Sequence, residues 1–462
     1  MAFRHGVYKS EVPTSIIAPS QGESGLPVII GTAPVFMGDP ACVNKPVLVY
    51  TYEEAVKTFG YSDDWDNYTL CEFIYSQFAL FGESPCVLVN VFDPAKHFTD
   101  ETVSYAVPDN DNSINLGPGV ISADSLEVLY DDDGNAIVHS PTSQLTIQHL
   151  RKAAPNKVTQ AEIIGGVSAS TGAYTGLELV NQVFPKFGLI PGLIGCPKWS
   201  EKPGVAAIMR AKSDNINGTF TCSAVVDIPS DECATYSSVS EWKNLHNYTA
   251  ERMIACWPKV ALDGKIFHLS TQLIGLMNKT DREHSDVPYK SPSNELLQMD
   301  SCVNAAGEEI FLGLDSANYL NSQGVITALN WVGGWRAWGN RTAAYPANTD
   351  PKDCFIPVRR MFDFIGNTFI TTFWQKTDEP MSPRLVRTIV STFNMYMNSL
   401  VAREMLLGGR IEFREDENAI TDLMNGILKF HVFITPPVPA EVIEGILEYD
   451  PAYLSVPDEA VN

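Results

Sequence analysis

Apolar residues in this chain recur at two periods, and the C-terminal end shows the shorter one most clearly. Ile427, Leu428, Phe430, Val432, Phe433 and Ile434 form a strand-like run closed by Thr435-Pro436-Pro437; proline has no N–H to give, so ladder pairing stops there. Past Pro439 a second extended run begins. Ile443, Gly445, Leu447 and Tyr449 fall on one face and Val442, Glu444, Ile446 and Glu448 on the other, the period of two of a strand. An apolar strand beyond a proline-rich break is predicted to fold onto its own sheet or to pair with a neighbour's edge.

The same reading divides the rest of the chain. Residues 1–25 form an extended arm, with strand-like His5–Pro13 followed by polar, Gly- and Pro-containing sequence. Strand signals at Val28–Ala33, Val47–Tyr50 and Val87–Val91 bracket helical spacing at Ala55, Val56 and Phe59 and at Leu70, Phe73, Ile74, Phe78 and Leu80, giving the first part of an α/β core, 26–96. Residues 97–158 change texture to short strands at Leu126–Tyr130, Ala136–His139 and Gln144–Ile147 and read as a β-rich surface insertion. The core resumes over 159–330: helices at Leu177–Phe184 and Gly204–Ala211 alternate with strands at Leu189–Cys196, Thr219–Asp227 and Ile254–Leu262, as in a helix-covered parallel sheet. A C-terminal α+β domain, 331–440, holds two helices. One starts at Pro357 and repeats Val358, Met361, Phe362, Ile365 and Phe369; the other has Ser382 as N-cap and Pro383 at N1, with Gly408-Gly409 expected to end it. Glu417–Gly426 reads as a short helix between strands Gly409–Arg414 and Leu428–Ile434, and 441–462 is a C-terminal arm. The fold class is therefore α/β and α+β, multidomain, with arms at both ends.

Length fits this division: 462 residues allow about three domains at ~150 residues each. There is no run of 18 or more apolar residues, so no membrane insertion is expected, and the N-terminus lacks the pattern of a secretory signal. The nine cysteines are scattered with no Cys-x-x-Cys pair, which points to reduced, buried thiols rather than disulfides or zinc. A net charge of −23 argues against nucleic acid as a partner. The charge is uneven, with 11 Lys+Arg against 8 Asp+Glu between Trp331 and Glu415 and 21 against 47 elsewhere. Arg359, Arg360, Arg384, Arg387 and Arg403 stand on the two helices of that mildly basic region, either solvating them or facing an acidic partner.

Signatures of catalysis or cofactor binding fail. There is no phosphate-binding Gly-x-x-x-x-Gly-Lys, no Gly-x-Gly-x-x-Gly after a strand and no His-Glu-x-x-His, and Gly166-Val167-Ser168-Ala169-Ser170 misses the nucleophile elbow at its last position. Asp131–Asn135 lacks the ligand spacing of a calcium loop and reads as a hairpin turn. The expectation is a non-enzyme with no catalytic, metal or cofactor residues. The rival reading, an α/β enzyme with an oligomerisation tail, places perturbed acid–base residues at strand ends near Asp227 or Asp263.

Several stretches together resemble the contractile tail sheath family of bacteriophages and related injection particles. They are Gly6-Val7-Tyr8 with Glu11-Val12, Asp281-Arg282 followed by Pro292-Ser293-Asn294, Leu320-Asn321 with Gly324-Val325-Ile326, Trp338-Gly339-Asn340-Arg341-Thr342, Ile356–Arg360, Asp378-Glu379-Pro380 and Pro436–Glu441. Order and spacing across 280–450 carry the resemblance, while 97–275 matches loosely and looks like the family's outward-facing variable part. The resemblance implies subunits stacked as hexameric rings around an inner tube, with 331–440 nearest the tube. It implies that the arms, through Val7, Tyr8 and Val12 and through Ile443, Leu447 and Tyr449, join sheets in neighbouring copies, received by strands carrying Ile411, Phe413, Leu428, Phe430 and Val432. Arg359, Arg360, Arg384 and Arg387 become tube-facing candidates. Further implied partners are the tail tube protein and baseplate and terminator proteins. The implied location is synthesis in a bacterial host cytoplasm and residence in a virion tail or an extracellular contractile particle.

Overall fold

The computed structural model describes residues 25–106, 113–131, 133–140 and 144–454; Val7, Tyr8 and Val12 of the expected N-terminal arm lie outside them. The chain enters a large sheet through β1 (Pro27–Gly31), β2 (Val47–Val49) and β3 (Cys86–Asn90). Helices α1 (Tyr52–Phe59) and α2 (Thr69–Ile74) lie between the last two. All residues of β1 and β3 are buried, because helices cover both faces of the sheet. Thr51 caps α1 by accepting the Glu54 N–H at 3.1 Å.

Six strands then form the insertion: β4 (Phe98–Ala106), β5 (Ser113–Pro118), β6 (Val120–Ala123), β7 (Leu129–Tyr130), β8 (Asn135–His139) and β9 (Gln144–Ala153). They make two three-stranded sheets around a separate small core that includes Ile114, Val120, Val138, Ile147 and Leu150. Asp131 closes the hairpin before β8, accepting the Asn135 N–H at 2.8 Å.

The large sheet resumes with β10 (Leu193–Gly195), helix α3 (Pro203–Asp214), β11 (Ser223–Asp227), helix α4 (Tyr236–Leu245) and β12 (Met253–Cys256). The expected single strand Ile254–Leu262 is two strands. Pro258 lacks the N–H needed to continue the ladder, and the chain departs into β13 (Lys259–Leu262), which pairs with β14 (Lys265–Phe267) and β15 (Ser301–Val303) in a sheet of its own. Between β14 and β15 runs α5 (Leu269–Glu283), buried through most of its length. Helix α6 (Leu314–Ser322) precedes β16 (Val325–Asn330) and β17 (Trp335–Trp338). The eight strands lie in the order β17-β16-β12-β11-β10-β1-β3-β2, parallel except for the antiparallel edge strands β2 and β17.

The C-terminal part has its own core. It is built from α7 (Ile356–Phe373), α8 (Pro383–Ala402), the hairpin strand β18 (Gly408–Glu412), the short helix α9 (Ile420–Met424) and β19 (His431–Thr435). Met361, Ile365, Ile389, Phe393, Met397, Leu400, Leu406 and Ile411 meet there. Ser382 caps α8 through the Leu385 N–H. The helix ends at Ala402, and Glu404 takes a left-handed φ of 59°. Gly408 and Gly409 open β18 rather than ending the helix. Met405 and Leu406 are buried at the turn, which brings the chain back over α8 before the glycines are reached.

Candidate functional site

Chemistry concentrates where the C-terminal part meets the sheet. Arg359, Asp363 and Asn367 repeat at i, i+4 on α7 and so share one face. That face points into the protein. Asp363 accepts from Arg252 at 2.9 Å and from Arg359 at 3.0 Å, and Asn367 brackets the Thr221 backbone, donating to its carbonyl at 2.7 Å and accepting its N–H at 3.2 Å. Arg359 also meets Asp353 at 3.1 Å. Arg360, 4% exposed, makes a two-pronged ion pair with Asp281 of α5, itself 1% exposed.

This corrects the expectation that Arg359 and Arg360 face an inner tube. Both are buried inside the subunit, where Asp363 of the same helix and two carboxylates from other segments, Asp353 and Asp281, offset the desolvation that would keep an unpaired guanidinium at the surface. Arg384 and Arg387 are exposed on α8, as is Arg403 just past its end, and none has a carboxylate partner among the described residues.

The seam also fixes the root of the C-terminal arm. Ser291 bonds Asn340, and the Asn340 carbonyl accepts the Ile356 N–H at 2.9 Å. The next residue, Arg341, lies with its guanidinium 3.8 Å from the Phe355 ring centre and 4.6 Å from that of Tyr345. Held between the rings, it donates to Glu441, with Nε 3.0 Å from Oε1. Beyond Glu441 the chain leaves the body. Residues 436–450 form no helix or strand, and Ile443, Leu447 and Tyr449 are 90, 99 and 75% exposed.

The hairpin beside this arm contains the expected receiving residues. Ile411 is buried in β18 and Val432 is half-buried in β19. Phe413, Leu428 and Phe430 lie just outside the strands, with Leu428 and Phe430 packed on the C-terminal core. Beneath β19 runs an apolar groove of about 210 Å³, lined by Phe362, Gly366, Phe369, Phe430, Val432 and Ile434 among others. At Gly366 a Cβ would meet nothing within 4 Å.

Asp227, where an enzyme would be sought, ends β11. Burial pushes its carboxyl above the usual range, yet it is enclosed and engaged: it accepts from Ser200 Oγ at 3.1 Å and from the Ser270 N–H at 3.0 Å. It ties α5 to the sheet. Asp263 lies in the exposed turn between β13 and β14. All nine cysteines are buried, unpaired thiols, and no helix among the described residues is long and apolar enough to cross a membrane.

No family model matches the chain. It is 24% identical to the tail sheath protein of Burkholderia phage BcepMu over an alignment of 479 residues, 98% of each chain. It is 27% identical to the major tail sheath protein of Serratia phage KSP20 over 61% of this chain and 69% of the relative. In fold it is similar to the sheath complex of an extracellular contractile injection system in its contracted state, with a TM-score of 0.62 at 14% identity over 98% of this chain and 99% of that one. The helical sheath of the anti-feeding prophage, also contracted, gives 0.60 at 15% identity over 97% and 100%. End-to-end sequence similarity to phage tail sheath proteins, on a mixed α/β fold similar to those of contracted sheaths, supports the resemblance to the contractile tail sheath family.

Proposed function

We propose that the chain is the structural subunit of a contractile sheath: it polymerises as stacked hexameric rings around an inner tube and shortens to drive that tube through a target cell envelope. The observation that carries this reading is the C-terminal arm. Val442, Ile443, Ile446, Leu447 and Tyr449 are between 75 and 99% exposed in the single chain. Burying each aliphatic side chain is worth about 1.5–3 kcal/mol. Ordering each extended residue costs about 1–2 kcal/mol. The two nearly cancel, so the arm stays unpaired until a partner supplies ladder hydrogen bonds, about 0.5–1.5 kcal/mol each, and pockets for its side chains.

Lending this arm, and the N-terminal one, to neighbouring copies stitches rings into a mesh. Such a tether survives large rigid-body movement of the cores, and a bistable packing of those cores then stores the work of contraction. Arg384 and Arg387 supply weak electrostatic contacts to the tube; baseplate and terminator proteins cap the polymer. The protein is made in a bacterial host cytoplasm and ends in a virion tail or an extracellular contractile particle. Deleting residues 441–462 is expected to leave folded monomers, by circular dichroism and size exclusion, that form no helical tubes in electron micrographs. Tubes of normal length from the deleted chain refute the proposal.

A further inference from the structure

The strand order of the large sheet reverses at β1: the chain runs from β1 outward to β2 and β3, then returns past β1 to β10. In open, mostly parallel sheets such a reversal leaves a crevice outside the carboxyl ends of the strands, where ligands bind. Here a cleft of about 750 Å³ lies between the core and the β-rich insertion, bordered by residues 34–37 just past β1. That volume suits a small molecule. Gly60, at the end of α1, packs residues 60–68 against the same turn: its φ is 71°, and a Cβ there would lie 2.4 Å from the Pro34 carbonyl oxygen. The insertion closes from the other side. The Tyr130 ring centre is 5.9 Å from that of Phe36, and a Cβ at Gly134 would lie 3.1 Å from the Met37 Cε.

The chemistry of this cleft is one-sided. Phe36, Tyr52, Tyr61 and Tyr68 line the core side in two tilted pairs, with ring centres 6.4 Å apart for Phe36–Tyr68 and 5.8 Å apart for Tyr52–Tyr61. Asp64 stands on the core side and Asp133 on the insertion side, and neither has a cationic partner among the described residues. The neighbouring Asp63 is already taken by Lys265 at 2.6 Å. Asn67 spends its Nδ2 on Asp64 at 2.8 Å, so it too offers an oxygen. Tyr68 is only 6% exposed, yet its hydroxyl has no protein partner among the described residues. Such a group is costly to bury until a ligand or water completes it. No lysine, arginine or histidine is among the described residues that line the cleft.

Carboxylates without a basic partner repel nucleotides and phosphates, and a sugar would bring acceptors that find few free donors. An ammonium brings donors alone, and the ring faces attract it along with the carboxylates. One ammonium would leave most of the volume empty, whereas Asp64 and Asp133 on opposite sides match two charges on one chain. We propose that this cleft binds an aliphatic polyammonium ligand, either a free polyamine or paired lysine side chains. One ammonium sits at Asp64 and the Tyr68 hydroxyl and another at Asp133, so that the ligand ties the insertion to the core.

Calorimetric titration of spermidine into the full-length chain tests it. At about 0.15 M salt a Debye length of about 8 Å screens diffuse attraction to a chain of net charge −23. Saturable binding is expected, weakened at least about tenfold by Asp64→Asn with Asp133→Asn and several-fold by Tyr68→Phe. Glu53→Gln with Glu127→Gln removes the same charge from exposed positions of α1 and the insertion, and should change affinity by less than about twofold. Should the double aspartate variant fail to fold, Asp133→Asn alone, in an exposed turn, is expected to weaken binding by itself. The tripeptide Lys-Gly-Lys, titrated in parallel, separates the two sources: tighter binding than spermidine assigns the cleft to a protein segment, weaker binding to a free polyamine. No saturable binding of spermidine or the tripeptide to the parent overturns the proposal, as does an equal loss in the Glu53 and Glu127 variant. Saturable binding of neutral maltotriose that spermidine does not displace overturns the ligand class.

Discussion

Replacing Arg360 by Met removes the cation from the buried pair at the seam. Arg360 and Asp281 are 4% and 1% exposed, and both guanidinium Nη atoms reach the carboxylate. Met keeps much of the volume, so the loss is electrostatic: Asp281 stays desolvated without its counter-charge. Breaking one side of such a pair costs about 3–5 kcal/mol, whereas removing both charges is often near neutral. If the C-terminal part unfolds as a unit of about 100 residues, at about 4–8 °C per kcal/mol, a 3 kcal/mol loss lowers its transition by about 12–24 °C. The assay is thermal and urea unfolding, with hydrogen exchange to assign the loss to α5 and α7. The second variant is Arg360→Met with Asp281→Leu, expected to recover most of the stability. A single variant within about 1 kcal/mol of the parent, or a double variant as unstable as the single, refutes this account of the seam.

Two further outcomes follow from individual side chains. Reversing Arg384 and Arg387 to Glu is expected to leave stability within about 0.5 kcal/mol, since both are exposed and lack carboxylate partners among the described residues. It should abolish co-assembly with the tube in sedimentation, and normal co-assembly refutes the tube-facing role. The second outcome concerns pH. Burial alone depresses His268, but the Glu72 carboxylate, 2.8 Å from Nδ1, outweighs it and the imidazole is raised. Glu201 lies 3.6 Å from Nε2, Lys259 is 3.5 Å from Glu201, and Asp227 adds a further nearby carboxyl. The folded state therefore holds this proton more tightly than the unfolded one. The stabilisation is full below the unfolded value of about 6.5 and is lost as pH rises through the raised folded value. Urea titrations from pH 5.5 to 9 should show the advantage of the parent over His268→Gln shrinking with rising pH; a constant difference refutes the linkage.

The sequence by itself determined the local elements whose signal lies in neighbouring residues. The buried runs of β1 and β3, the Ser382–Pro383 start of α8, the Asp131 hairpin and the two-fold alternation after Pro439 are set by periodicity, caps and prolines that act within a few residues. The alternation also established that the arm has an apolar face. Whether the arm is buried in its own chain was not a local question, and only the folded structure, with Leu447 99% exposed, decided that it is not.

Tertiary structure decided the fate of the polar groups. Arg359, Asp363 and Asn367 look like a solvated helix face, and their i, i+4 spacing with Arg360 beside it was the available sign of a shared polar contact. Their partners lie far off in sequence: Asp281 is 79 residues from Arg360 and Thr221 is 146 from Asn367. Asn394 likewise bonds the Ile411 backbone from 17 residues away. A charge or an amide is buried or exposed according to the groups that converge on it, and that convergence is a property of the packed chain, which local periodicity does not encode.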